Sequence, residues 1–178
     1  MTNIFKNRKY EQGSTAVIAI SIVAVVIIAG LLMAYNKVST QESVAKTAAA
    51  TEDANIKLVQ TFEDLAFNTK NVDAAAGYLA DNLIQHNPTI PDGKEGFIQG
   101  VGGYLVKQYP NLKVTTKHAY ATGDKVIVHK FGKYDDTKAE DPGVAIVDIY
   151  RIENGKIAEH WDVIQAIPTT PANNNTMF

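Results

Sequence analysis

The chemistry open to this chain rests on few side chains: four histidines, His86, His118, His129 and His160, and two aspartates, Asp148 and Asp162, set in segments rich in branched residues. Apolar surroundings make a carboxylate hold its proton more tightly, and a histidine can donate to developing negative charge. Together they are the minimum machinery for taking a proton from carbon beside a carbonyl, because an enolate needs a base at carbon and a donor at oxygen. Asp148, in the middle of AIVDIY, is the leading candidate. A buried carboxylate without a partner is costly, and such a cost points to binding or catalysis. Two histidines and a carboxylate can also hold a metal, but no His-x-x-x-His spacing fixes that geometry, so neither a metal nor another cofactor is expected.

Which of these residues meet depends on strand register. Across a two-residue hairpin, opposed residues share a constant index sum and one face of the sheet. TGDK at 122–125 centres a turn on Gly123 and Asp124, which sets His118 opposite His129. ENGK at 153–156 carries the Asn-Gly pair of a type I′ turn, which sets Asp148 opposite Trp161 and Tyr150 opposite Glu159. Centring the longer link after Phe131 on the polar DDTKAEDP loop adds His129 beside Asp148. The single Trp, flanked on its face by Ile157 and Val163, is the residue that seeks the interior. The expected pocket therefore has Asp148 as base, His129 or His118 as acid or oxyanion donor, His86 near the mouth and Trp161 as apolar wall. Tyr150, Asn87 and His160 are the further expected substrate contacts, and Arg151 and Glu159 read as an ion pair.

Helices must precede these strands. In ANIKLVQTFEDLAF, Ile56, Val59, Phe62, Leu65 and Ala66 recur at spacings of three and four, the pattern of an amphipathic helix. Asn71 can cap a short helix over VDAAAGYLA, and DNLIQHNP is extended up to Pro88. DGKEGFIQGVGGYLVKQYP reads as a third helix, with glycines 100, 102 and 103 allowing close packing. Four strands follow: LKVTTKHAYA, KVIVHKFGKY, GVAIVDIYRI and KIAEHWDVIQAI. Helices first and antiparallel strands after predict an α+β domain with helices on one face of a curved sheet.

The N-terminus has a different character. AVIAISIVAVVIIAGLLMAY at 16–35 lacks any acidic or basic side chain, and roughly 20 such residues span the hydrocarbon of a bilayer as a helix. Lys6, Arg8 and Lys9 precede it, which predicts a cytoplasmic N-terminus and an extracytoplasmic domain. A cleaved signal peptide and a secreted domain are the alternative, with ESVA at 42–45 as a distant small-residue site. The expected organisation is a tail at 1–13, a transmembrane anchor at 14–35, a stalk at 36–53, the domain at 54–168 and a C-terminal tail at 169–178. Seventeen basic against nineteen acidic side chains, with no basic run beyond the start, exclude a nucleic-acid footprint. The absence of cysteine removes thiol nucleophiles and Cys-ligated zinc.

The helix-then-sheet order, with IQHNP, GDKVIVH, VDIYRIENGKIAEHWDVIQ and ANNNTMF, resembles the SnoaL-like branch of the nuclear transport factor 2-like superfamily over residues 54–178. That resemblance implies a cone-shaped α+β barrel around a cavity. It also implies activities such as aldol-type ring closure by polyketide cyclases, isomerisation, epoxide hydrolysis or dehydration, alongside members that only bind ligands or partners. By its place after Trp in EHWD, Asp162 matches the acid/base residue of the cyclases, whereas the register favours Asp148. The two agree only if a bulge shifts the last strand by one residue. The function so read is cofactor-free acid/base chemistry on a small apolar or carbonyl-bearing molecule. The alternative is a non-catalytic ligand-binding or assembly domain at the membrane. A homodimer through the outer sheet face is implied by the relatives alone.

Overall fold

The computed structural model describes residues 4–178. Met1–Asn3, the start of the expected tail, lie outside the described residues, and side chains are described at Val17 and from Ser21 onward. The chain divides into two compact units, Met1–Thr47 and Ala48–Phe178. The described part of the first unit is helical and belongs to α1 (Ile4–Glu63), which also contains the expected stalk residues 36–53. Val25, Ile28, Leu31 and their neighbours are exposed there on all sides. Among the described residues this is the one helix long and apolar enough to cross a membrane, a property that signal sequences share.

The second unit is an α+β domain. Its share of α1 buries Val59 and Phe62, and the helix widens into a π-helical turn over Asp64–Asn68 that buries Ala66. Asn71 caps α2 (Val72–Ala76) by accepting the Ala74 N–H at 3.2 Å. The expected second helix ends early, because Leu79 already begins β1 (Leu79–Gln85). Next come α3 (Gly93–Phe97), a π-helical stretch over Ile98–Leu105, and α4 (Val106–Gln108). Gly102 lets this segment approach Val72, since a Cβ there would sit 2.9 Å from a Val72 methyl.

Four long strands complete the sheet: β2 (Lys113–Thr122), β3 (Lys125–Lys133), β4 (Val144–Glu153) and β5 (Lys156–Ala166). Their order is β1-β5-β4-β3-β2, antiparallel except where β1 joins β5 in parallel. Alternation assigns the faces: Val126, Val128 and Tyr150 point inward with Phe62, Leu79, Phe97 and Val101 to form the core.

From the turn to His118 the β2–β3 register is the expected one, with His118 opposite His129; beyond it the pairing shifts by one, so that Thr116 faces Lys130. Two other pairings differ from expectation. Across β3–β4, Val128 faces Asp148 and His129 faces Val147, so His129 lies on the opposite side of the sheet from Asp148. The β4–β5 hairpin starts in the expected register, with Asn154 and Gly155 at positive φ in the turn. It pairs Ile152 with Ile157 and then shifts by one at Ala158. Beyond this bulge Asp148 faces Asp162, Ile149 faces Trp161 and Tyr150 faces His160. Trp161 is thereby on the outer face, and Asp162 and His160 are on the inner one.

Candidate functional site

The inner face of β3 carries Val126, Val128 and then Lys130, a lysine in a row of core positions. Among the described residues it is one of three buried charged ones, with Glu63 at the end of α1 and Asp148 in β4, none more than 3% exposed. Charges so deep persist only when paired and hydrogen-bonded. The Lys130 ammonium lies 2.9 Å from Glu63 Oε1 and 2.5 Å from Asp148 Oδ2. The Tyr150 hydroxyl donates to the same Glu63 oxygen at 3.0 Å. Burial works against the Lys130 charge, but the two carboxylates outweigh it and raise its pKa. Burial and both negative charges hold the Tyr150 phenol protonated well above its usual range.

Asp148 departs from expectation. Burial alone would lift its pKa, but the Lys130 cation and the hydrogen bond to His160 prevail and lower it. His160 Nε2 lies 3.0 Å from Asp148 Oδ1, and Nδ1 lies 2.8 Å from Gln85 Oε1. The parallel pairing of β1 with β5 aligns Gln85 with His160. Tyr150 stacks on the imidazole with centroids 4.9 Å apart.

Asp162 is half-buried beside this pair and takes the Asn87 amide N–H on Oδ2 at 2.6 Å. The orientation of Asn87 is fixed, because its Oδ1 accepts from the Thr89 backbone N–H and hydroxyl. Asp148, His160 and Asp162 each offer one polar atom within 4.8 Å of the others. That set could in principle hold a cation, but both Asp148 oxygens are already engaged, Oδ1 by His160 and Oδ2 by Lys130. We therefore read the cluster as a proton network.

These groups line one wall of a cavity of about 390 Å³. Phe62, Phe97, Val101, Tyr104 and Ile146 are among its apolar lining. A few polar groups converging on an apolar space is the usual composition of a small-molecule site.

Of the candidates from sequence, Asp148, Asp162, His160, Tyr150 and Asn87 come together here. His118, His129, His86 and Trp161 do not. His118 and His129 lie on the outer face, with ring centroids 6.1 Å apart, and the Phe178 ring at the chain end sits 5.2 Å from His129. His86 stacks flat on Trp161 at 4.6 Å and bonds Glu159 at 2.9 Å. Glu159 also takes Arg151 Nε at 2.7 Å, and the bonds from Arg151 and His86 lower its pKa. Lys130, Glu63 and Gln85 are the members that the search for histidines and aspartates missed. Glu63 was readable from the helical spacing to Val59 and Phe62, whereas placing His129 in the pocket turned its neighbour Lys130 outward.

Comparison with known proteins agrees with this architecture. Residues 57–172 match the family model described as SnoaL-like polyketide cyclase. Among solved structures, a candidate polyketide cyclase from Acidithiobacillus ferrooxidans is 16% identical at a TM-score of 0.55, covering 62% of this chain and 87% of its own. A second, from Bacillus cereus, is 20% identical at 0.53, covering 62% and 74%. An uncharacterized cystatin-fold protein from Novosphingobium aromaticivorans is 18% identical at 0.54, covering 61% and 97%. At these identities the structures speak for the fold. No curated protein matches the chain.

Proposed function

The chain belongs to the SnoaL-like polyketide cyclase family, and we propose that its domain binds a small apolar, carbonyl-bearing molecule in the cavity and moves a proton at the carbon beside the carbonyl without a cofactor. One observation carries this reading: Asp162 and His160 stand side by side in the polar wall of an otherwise apolar cavity. Asp162 is the better base. Asp148 is spent on Lys130 and His160, whereas Asp162, among the described residues, bonds Asn87 alone through one oxygen and keeps Oδ1 for a substrate proton. His160 supplies the polar partner for charge that develops on the carbonyl oxygen. Aldol condensation, isomerisation and dehydration all begin with this step.

We propose in addition that residues 14–35 anchor the domain in a membrane, with the N-terminus cytoplasmic and the domain outside. Support comes from the exposed apolar run within α1 and from Lys6, Arg8 and Lys9 before it.

The test of the chemistry is deuterium uptake at the α-carbon of a panel of cyclic and aromatic ketones in heavy water, followed by proton NMR. The wild type should exchange at least one of them, and Asp162→Asn should slow that exchange by about 10²- to 10⁴-fold with binding kept. Binding without exchange in the wild type would replace catalysis by the alternative, a ligand-binding or assembly domain.

A further inference from the structure

We infer that Gln85 is a positioning residue that keeps hydrogen on both ring nitrogens of His160, so that the cavity wall carries an imidazolium. The argument is an accounting of donors and acceptors. Gln85 Oε1 lies 2.9 Å from the Asn87 backbone N–H, which can only donate, so the atom there must be the carbonyl oxygen of the amide. The same oxygen faces His160 Nδ1 at 2.8 Å, so Nδ1 must carry hydrogen. The other nitrogen, Nε2, faces Asp148 Oδ1 at 3.0 Å. Asp148 has the Lys130 ammonium on its second oxygen in a site closed to water, which keeps it a carboxylate. Nε2 must therefore donate too.

The groups around the imidazole are consistent with a positive charge. Asp148 and Tyr150 face it from β4, Asp162 from β5 and Gln85 from β1. Lys130 from β3 is neutralised between Asp148 and Glu63 of α1. With both N–H groups engaged, His160 acts as a fixed cation within 4.8 Å of Asp162 and not as a mobile acid. Its catalytic consequence, attraction of enolate charge, rests on the function proposed above, but its charge state does not.

The experiment is long-range proton–nitrogen correlation on the full chain in detergent micelles, with ¹⁵N-labelled histidine and the His160 signals assigned by their loss in His160→Asn. At about pH 7, where an unperturbed histidine is mostly neutral, both His160 nitrogens of the wild type should report as protonated. Gln85→Leu removes the acceptor and should turn Nδ1 into a bare nitrogen, whereas Gln85→Glu keeps an acceptor oxygen and should retain both hydrogens. A bare nitrogen on wild-type His160, or a Gln85→Leu spectrum like that of the wild type, would overturn the inference. Should Gln85→Leu fail to fold, the wild-type spectrum still decides. Because ring hydrogens are read directly, absence of ketone exchange would sink the proposed function and leave this result standing.

Discussion

Replacing Lys130 with methionine tests the buried network at its centre. The change keeps most of the side-chain volume and removes the charge that Asp148 and Glu63 share at 2.5 and 2.9 Å. Removing one partner of a buried pair costs about 3–5 kcal/mol, because the remaining charge is left without compensation. Of the two carboxylates left behind, Asp148 keeps the His160 bond, and its escape from the lost charge is to take a proton. At about pH 7 that costs roughly 4 kcal/mol, three pH units above an ordinary aspartate at about 1.4 kcal/mol each. The expected loss at neutral pH is therefore about 3–5 kcal/mol, a large part of the roughly 5–15 kcal/mol that holds a domain together.

The sign of the pH dependence sharpens the test. In the wild type the Asp148 pKa is lowered by folding, so its contribution is present above about pH 4 and lost as pH falls through the lower folded value. In Lys130→Met, burial, the largest influence on Asp148, is opposed by His160 alone, and the folded pKa is expected above the unfolded one. The native state then holds a proton that the unfolded state releases, and the variant loses about 1.4 kcal/mol per unit as pH rises above about 4. The deficit should shrink by roughly 2–3 kcal/mol between about pH 7 and 5. Urea unfolding of the full chain in micelles, followed by fluorescence of its single tryptophan, Trp161, measures both quantities. A deficit below about 1 kcal/mol that does not change over this range would refute the reasoning.

Two glycines of one segment should respond in opposite directions in the same unfolding assay. A Cβ at Gly96 would lie 2.1 Å from the Pro91 carbonyl oxygen, so Gly96→Ala should cost about 1–3 kcal/mol through forced backbone movement. A Cβ at Gly103 would meet the Ile98 carbonyl oxygen at 3.9 Å, an ordinary contact, so Gly103→Ala should gain about 0.5–1 kcal/mol of helix propensity; a loss there would contradict the described packing. For the membrane arrangement, protease added to intact cells should digest the domain and spare the N-terminal tail. Protection of the whole chain would reverse the proposed orientation, and a soluble form beginning near Lys46 would favour signal-peptide cleavage.

What the sequence could reveal was local. Alternation and turn chemistry sufficed for the β2–β3 register as far as His118 and for the positive-φ turn at Asn154 and Gly155. Lys130 was lost by the same reasoning: with His129 assigned to the pocket face, its neighbour had to take the other. The parallel contact of β1 with β5 was not legible, since Gln85 and His160 are far apart in sequence and no local pattern states that they are aligned. The meeting of Glu63 with Lys130 is long-range in the same sense, although the spacing to Val59 and Phe62 puts Glu63 on the buried face of its helix.

The bulge at Ala158 bears most directly on function. With unbroken register the hairpin would turn Trp161 and Glu159 inward beside Asp148 and Tyr150, with His160 and Asp162 outside. An indole there would fill space that is now open, and Glu159 would lose Arg151 and His86, its partners on the outer face. The extra residue avoids both costs. Ile157 and Ala158 are both buried where the strand shifts, so the bulge closes the core at that end and reverses every side chain after it. Asp162 and His160 then replace Trp161 and Glu159 on the inner face. One small residue thus separates a filled hydrophobic core from a cavity with a polar wall, and it explains why a site built from HWD could be recognised by its residues yet assigned to the wrong face by alternation alone.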